Sequence, residues 1–97
     1  MENLFVYGTL KDERIQKKII GRFVKGIPDF LFGYEIKYTK IEGRTYPILV
    51  KGKGSVKGFF LKLMSEELKT VNEYETSVYR RIRETLRSGV FALVYVK

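Results

Sequence analysis

The chain has 97 residues, with no cysteine and no histidine among them. No disulfide and no ordinary zinc site can staple it. A chain this short buries only about two-thirds of the surface its unfolded form exposes. It must therefore fold around an apolar core alone. The material is present: 44% of the residues are hydrophobic, and seven Tyr and seven Phe exclude a disordered chain. The length leaves room for one domain, residues 1–97. The same two absences exclude thiolate and imidazole catalysis and every Ser-His triad. Acid–base chemistry at neutral pH falls to eleven carboxylates, to Lys or Tyr, or to the chain termini.

The pattern of apolar residues predicts more strands than helices. Leu4-Phe5-Val6-Tyr7 reads as a strand buried on both faces, broken by Gly8. A tight turn over Gly8 to Lys11 leads into a helix over 12–20, with Asp12 as its cap and Ile15 and Ile19 on one face. Gly21 suits its left-handed end. Residues 22–41 carry strand alternation at Tyr34, Ile36 and Tyr38, and Pro28-Asp29 and Gly33 divide them into two pieces. Turns follow at Glu42-Gly43-Arg44 and Gly52-Lys53-Gly54, on either side of an extended Tyr46 to Val50 with Pro47 at a strand start or edge. Val56 to Met64 is a strand with Gly58 as a bulge. Ser65 caps a second helix, Glu66 and Glu67 suit its positive end, and Glu75 extends the apolar stripe of Leu68 and Val71. Val78 to Leu86 is a strand, Arg87-Ser88-Gly89 a hairpin turn, and Val90 to Val96 a central strand. The expected class is α+β: a small mixed, barrel-like sheet with one or two flanking helices.

Three constellations carry chemistry. The turn Tyr7-Gly8-Thr9-Leu10-Lys11 either aims backbone N–H groups at an anion, with Gly8 allowing close approach, or is a plain strand-to-helix turn. Glu75 lies on an apolar stripe, where burial raises a carboxyl pKa towards that of a general base. The bland alternatives are a solvated loop beyond Asn72 or a structural pair with Arg80 or Arg81. Tyr79-Arg80-Arg81 offers donors to an anion, with Tyr79 and Arg81 on one face and Arg80 on the other, or forms a solvated strand face.

Net charge is +8, which favours anionic partners. The basic residues are scattered, and Lys57-Gly58-Phe59-Phe60 departs from an RNA-recognition strand where Phe60 stands in place of Gly or Ala. Gly52-Lys53-Gly54 fits neither a Walker loop nor a dinucleotide fingerprint. No run of about 18 apolar residues offers a membrane span. Met1-Glu2-Asn3 opens directly into a strand-like run rather than a basic leader, so the expected location is the cytoplasm. The small, highly charged surface suggests a monomer.

Taken in order, Leu4 to Lys11, Tyr46-Pro47, Ser55 to Phe60, Leu68 to Arg81 and Ala92 to Val96 resemble the motifs of the γ-glutamylcyclotransferase-like family. The first resembles its Tyr-Gly-Thr-Leu signature, and the fourth, with Tyr74-Glu75 and Tyr79-Arg80-Arg81, resembles the segment that holds its catalytic glutamate. The resemblance implies a small mixed barrel and a pocket between the loop and the glutamate. It implies an enzyme that cyclises a γ-glutamyl amine or peptide to 5-oxoproline, releasing the amine, with neither metal nor organic cofactor. Carried over, Glu75 is the general acid/base. Tyr7, Gly8, Thr9 and Leu10 bind substrate, and Lys11, Tyr79 and Arg81 support the pocket. Thr76 stands where the family usually has Gly or a small acidic pattern after the glutamate, and the chain stops at Lys97 without the C-terminal additions of many members. A binding module of the same fold, holding an acidic metabolite without turnover, is the alternative, and a basic nucleic-acid binder ranks after it.

Overall fold

The structure is a computed structural model that describes residues 1–75 and 79–96. At its centre lies β1 (Glu2–Val6), whose Leu4, Phe5 and Val6 are all buried. The strand has a neighbour on each edge and packing on each face, so no position in it needs a polar side chain. It pairs antiparallel with the end of β3 (Arg44–Leu63) and parallel with β5 (Phe91–Val96), with Leu4 opposite Leu93. β2 (Ile27–Ile41) flanks β3, and β4 (Arg80–Thr85) flanks β5, in the order β2-β3-β1-β5-β4. The apolar run at the C-terminal end is thus internal, as its composition predicts. Together with α1 (Glu13–Ile19) and α2 (Ser65–Glu75), this makes an α+β fold whose mixed sheet curls into a half-barrel, as expected.

Strand alternation sorts the apolar side chains into two cores. Phe5, Leu31, Leu49, Phe60, Val94 and Val96 belong to one cluster. Leu4, Val6, Leu61, Leu63 and Leu93 belong to the other, which takes in Leu68 and Val71 of α2 and packs against Ile15 and Ile19 of α1. α1 starts as the sequence predicts: the Asp12 carboxylate accepts from Arg14 N at 2.8 Å and Ile15 N at 3.4 Å. Between β1 and α1 lies a 3-10 helical turn, Thr9–Lys11. Gln16 is 1% exposed, and it ties this turn down. Its amide donates to Leu10 O at 2.8 Å and accepts from Val24 N at 2.7 Å. Periodicity alone gives no hint of that role.

Four expectations need correction. Residues 27–41 form one strand rather than two, and Gly52-Lys53-Gly54 is no turn: β3 runs through it. Phe32 pairs with Ser55 and Tyr34 with Lys51, so only Gly33 of β2 lies opposite these three residues of β3. That is an irregularity inside a ladder, not the end of one. Gly33 takes a φ of +84° there, and the Glu35 side chain lies where a Cβ on Gly52 would sit. Gly58, by contrast, is in register and forms no bulge. A Cβ there would meet Val6 O and come within 2.7 Å of the Phe5 ring. Glycine is needed for close packing of β3 on β1. The second helix begins one position earlier than predicted, at Ser65 rather than after it. Leu68 N bonds to Met64 O at 3.0 Å, so Met64 is the cap, and its N–H is met by the Glu67 carboxylate at 2.9 Å. Glu67 also holds Arg22 through two bonds of 2.6 and 2.9 Å. The expected strand start at Val78 lies outside the described residues.

Side-chain and backbone bonds tie β2 to the turn between β4 and β5. Asp29 on β2 is buried and accepts from Ser88 Oγ, Ser88 N and Phe30 N. Arg87 N donates to Phe30 O at 2.9 Å, and the Arg87 guanidinium stands 5.4 Å from the centre of the Phe30 ring. The turn between β4 and β5 is thereby anchored to β2.

Candidate active site

A cavity of about 400 Å³ opens where β1 runs out into the 3-10 turn. Phe5, Val6, Tyr7, Gly8, Thr9 and Leu10 line one part of it. The last turn of α2 contributes Tyr74 and Glu75, the position just before β4 contributes Tyr79, and β5 contributes Tyr95. The long β2–β3 hairpin adds Tyr46 and Pro47 from β3 and Glu42 from the turn at its tip.

The turn after β1 has the geometry of an anion holder. Lys11 N donates to Gly8 O at 3.1 Å and Asp12 N to Thr9 O at 3.0 Å, which closes the turn on itself. Among the described residues the N–H groups of Thr9 and Leu10, which precede these bonds, have no protein acceptor. Such amides at the start of a helical turn favour a negative group. Gly8 is not there for its φ, which is an ordinary −127°. A Cβ on it would stand 3.1 Å from Pro47 Cγ, so glycine lets the β3 wall come close.

Glu75 sits on the last helical residue, because Leu68 and Val71 anchor α2 on the core and the stripe they define continues to it. Burial pushes its carboxyl up from the ordinary 4.5 to about 7. Among the described residues no partner offsets that burial. The nearby tyrosine hydroxyls donate elsewhere: Tyr7 to Tyr95 O at 2.7 Å, Tyr79 to Pro47 O at 2.9 Å and Tyr95 to Asn72 Oδ1 at 3.1 Å. Neither Arg80 nor Arg81 pairs with Glu75 among the described residues. The solvated-loop and ion-pair alternatives are both set aside by this placement. The tyrosines themselves are held neutral. Burial raises Tyr7 and Tyr79, and the Glu75 charge adds to both. Burial also raises Tyr95, against an opposing hydrogen bond from Arg81.

The structure therefore brings Tyr7, Gly8, Thr9, Leu10, Tyr79 and Glu75 to one cavity. Lys11 and Arg81 do not line it. Lys11 is exposed at the end of the turn, and Arg81, opposite Tyr95 in the ladder, acts on the Tyr95 hydroxyl without lining the cavity. Arg80 points to the other face and lines a separate hollow with Tyr34 and Glu84, as strand alternation predicts. Thr76 lies outside the described residues. Glu42, Tyr46, Tyr74 and Tyr95 are lining residues to which the sequence reading gave no part in the site. The Tyr-Pro and closing-strand motifs mark two of these segments without saying which side chains face inward. Among the described residues no group of three or more His, Cys, Asp or Glu is gathered to hold a metal ion, and no helix is long and apolar enough to cross a membrane.

Comparison with known proteins places this site in context. A solution structure from Arabidopsis thaliana is 26% identical, with a TM-score of 0.81 over 98% of this chain and 61% of that one. An uncharacterised protein from Pyrococcus horikoshii is also 26% identical, with a TM-score of 0.75 over 99% and 77%. A protein named gamma-glutamyl cyclotransferase is 13% identical and shares the fold, with a TM-score of 0.79 over 98% and 65%. The chain thus spans about three-fifths of the length of the first of these structures. Comparison with curated proteins finds no match. The family model described as gamma-glutamyl cyclotransferase, AIG2-like, matches residues 4–97, from the first buried leucine of β1 through the last strand. On that match the chain belongs to the AIG2-like gamma-glutamyl cyclotransferase family.

Proposed function

We propose that this protein cyclises a γ-glutamyl amide to 5-oxoproline, with release of the amine and with Glu75 moving the proton. The observation that carries this reading is the carboxyl of Glu75, raised to about 7 and, among the described residues, unpaired in a cavity shared with the free amides of Thr9 and Leu10. The substrate supplies its own nucleophile, so the chain needs no Ser or Cys. The α-ammonium gives a proton to the Glu75 carboxylate, whose basicity stands closer to that of an amine than an ordinary carboxylate's does. The freed amine attacks the γ-carbonyl carbon, and a C–N bond of the new ring forms. The amide C–N bond then breaks as Glu75 returns the proton to the leaving nitrogen. The ring nitrogen sheds its second proton to the released amine, which departs as an ammonium, so atoms and charge balance with no water consumed. Ring closure is intramolecular, so the cavity's second task is to hold the bent conformer. The amides of Thr9 and Leu10, with Gly8 allowing close approach, hold the α-carboxylate or the developing oxyanion. Tyr7 and Tyr79, kept neutral, line the pocket. The same reading makes the protein a cytoplasmic enzyme of small metabolites that works without a cofactor.

The test is 5-oxoproline release from a panel of γ-glutamyl amines and peptides. Glu75→Gln should fold normally and lose about a hundredfold to ten-thousandfold in kcat. Full activity in that variant would refute the role of Glu75. Binding of a panel member with no product from the parent protein would instead favour a binding module.

A further inference from the structure

We propose that Glu42 makes this cavity select γ-glutamyl substrates whose leaving amine carries a second, positive charge. The inference rests on the cyclotransferase reading above and names the substrate class that the site takes.

Three observations converge on it. The first is charge. The chain has nineteen basic and eleven acidic residues, yet among the described residues no Lys or Arg lines the cavity, and two carboxylates, Glu42 and Glu75, do. The cavity is a negative place on a positive protein. The second is the supply of anion-holding groups. The free amides of Thr9 and Leu10 are the donors positioned for a negative group, and every γ-glutamyl substrate brings an α-carboxylate and a developing oxyanion to them. A leaving group with its own carboxylate, as in a γ-glutamyl peptide, would meet carboxylates and ring faces. A leaving group with an ammonium meets the Glu42 carboxylate and the rings of Tyr46 and Tyr74, which attract a cation.

The third is backbone. Glu42, at φ +50°, is the one non-glycine with a positive φ among the described residues, and Gly43 beside it stands at +80°. A hairpin turn with both residues left-handed is the place for Asn-Gly. Glutamate there carries a strain that asparagine would relieve. The tip of the hairpin thus keeps a side chain that its backbone disfavours, and that side chain lines the cavity. No ion pair occupies it among the described residues.

Glu42 is exposed at the rim, which sets the size of the effect. A solvated carboxylate–ammonium contact changes affinity by about fivefold at most, and salt weakens it.

The experiment uses three γ-glutamyl conjugates of matched length: with n-butylamine (neutral), with 1,4-diaminobutane (cationic) and with 4-aminobutanoate (anionic). kcat/KM for 5-oxoproline release is measured for the parent, Glu42→Asn and Glu42→Lys, at low and high salt. The parent should rank cationic over neutral over anionic, by about three- to fivefold per step, with the gaps narrowing in salt. Glu42→Asn should raise the melting temperature, because it suits the turn, while drawing the cationic-to-anionic ratio towards one. That rise separates lost selectivity from lost folding. Glu42→Lys should invert the ranking. A ranking unchanged in both variants, or one that salt does not narrow, overturns the proposal. Turnover of the neutral conjugate establishes the cyclotransferase reading independently. If no conjugate is turned over, that reading falls, and calorimetric affinities of the same three conjugates still decide the role of Glu42.

Discussion

Glu75 illustrates how position along one helix retunes a carboxyl group. Its ionised form loses water on burial and gains no cation or hydroxyl donor among the described residues, and its pKa rises from 4.5 to about 7. A native pKa above the unfolded one contributes stability that is whole below about pH 4.5 and lost as pH rises through about 7. Glu75→Gln should therefore match the parent in urea melts at pH 4 and exceed it by about 1–3 kcal/mol at pH 8, a range discounted for the partial exposure of the group. Equal stabilities at both pH values would contradict the burial. If Glu75 is the base, kcat/KM of the parent should fall about tenfold per pH unit below that pKa. A flat profile from pH 5 to 8 would assign the proton transfer to another group. This residue is legible in the sequence because its relation to Leu68 and Val71 is local, a matter of helical spacing. Glu42, Tyr46 and Tyr95 are not. They converge only through the register of strands far apart in the chain, which no single window of sequence contains.

At the level of elements, β3 is the informative case. Gly52-Lys53-Gly54 resembles a turn in composition, yet the strand continues through it, because β2 supplies a partner on both sides of the irregularity. Glycine marks a missing Cβ, and only the neighbouring strand shows what fills the space: Glu35 at Gly52, and the Phe5 ring and Val6 O at Gly58. Gly58→Ala should therefore destabilise the protein by about 1–3 kcal/mol through overpacking, measured in urea. Phe5→Leu in the same chain should recover part of that loss, so the two effects should not add. Strict additivity would show that the Phe5 ring is not the obstacle. The helices were more legible than the hairpin. Asp12 and the paired isoleucines of α1 specify a start and a face within a few residues, whereas two long strands specify each other.

Across the whole molecule, the half-barrel is held by a contact between residues 59 positions apart, Asp29 and Ser88. Burial alone would raise the Asp29 carboxyl, but its bonds from Ser88 and Phe30 N outweigh that and hold it below the usual 3.8. A depressed native pKa contributes stability above the unfolded pKa and loses it as pH falls through the native one. Asp29→Asn should thus be less stable than the parent at pH 7, with a deficit that closes below pH 4 in melts across that range. A deficit constant with pH would place its origin in packing instead. The sequence showed Asp29 only as half of a Pro-Asp interruption and Ser88 only as part of a turn, since closure is a property of the assembled sheet. The bond from the Tyr7 hydroxyl to Tyr95 O, across 88 residues, carries the same lesson into time. A ribosome that has released β1, α1 and the long hairpin has made much of the sheet and one wall of the cavity. The wall that faces it, from Tyr74, Glu75 and Tyr79 to Tyr95, is complete only when the final strand emerges, so a half-made chain has a core in hand and a cavity with one side.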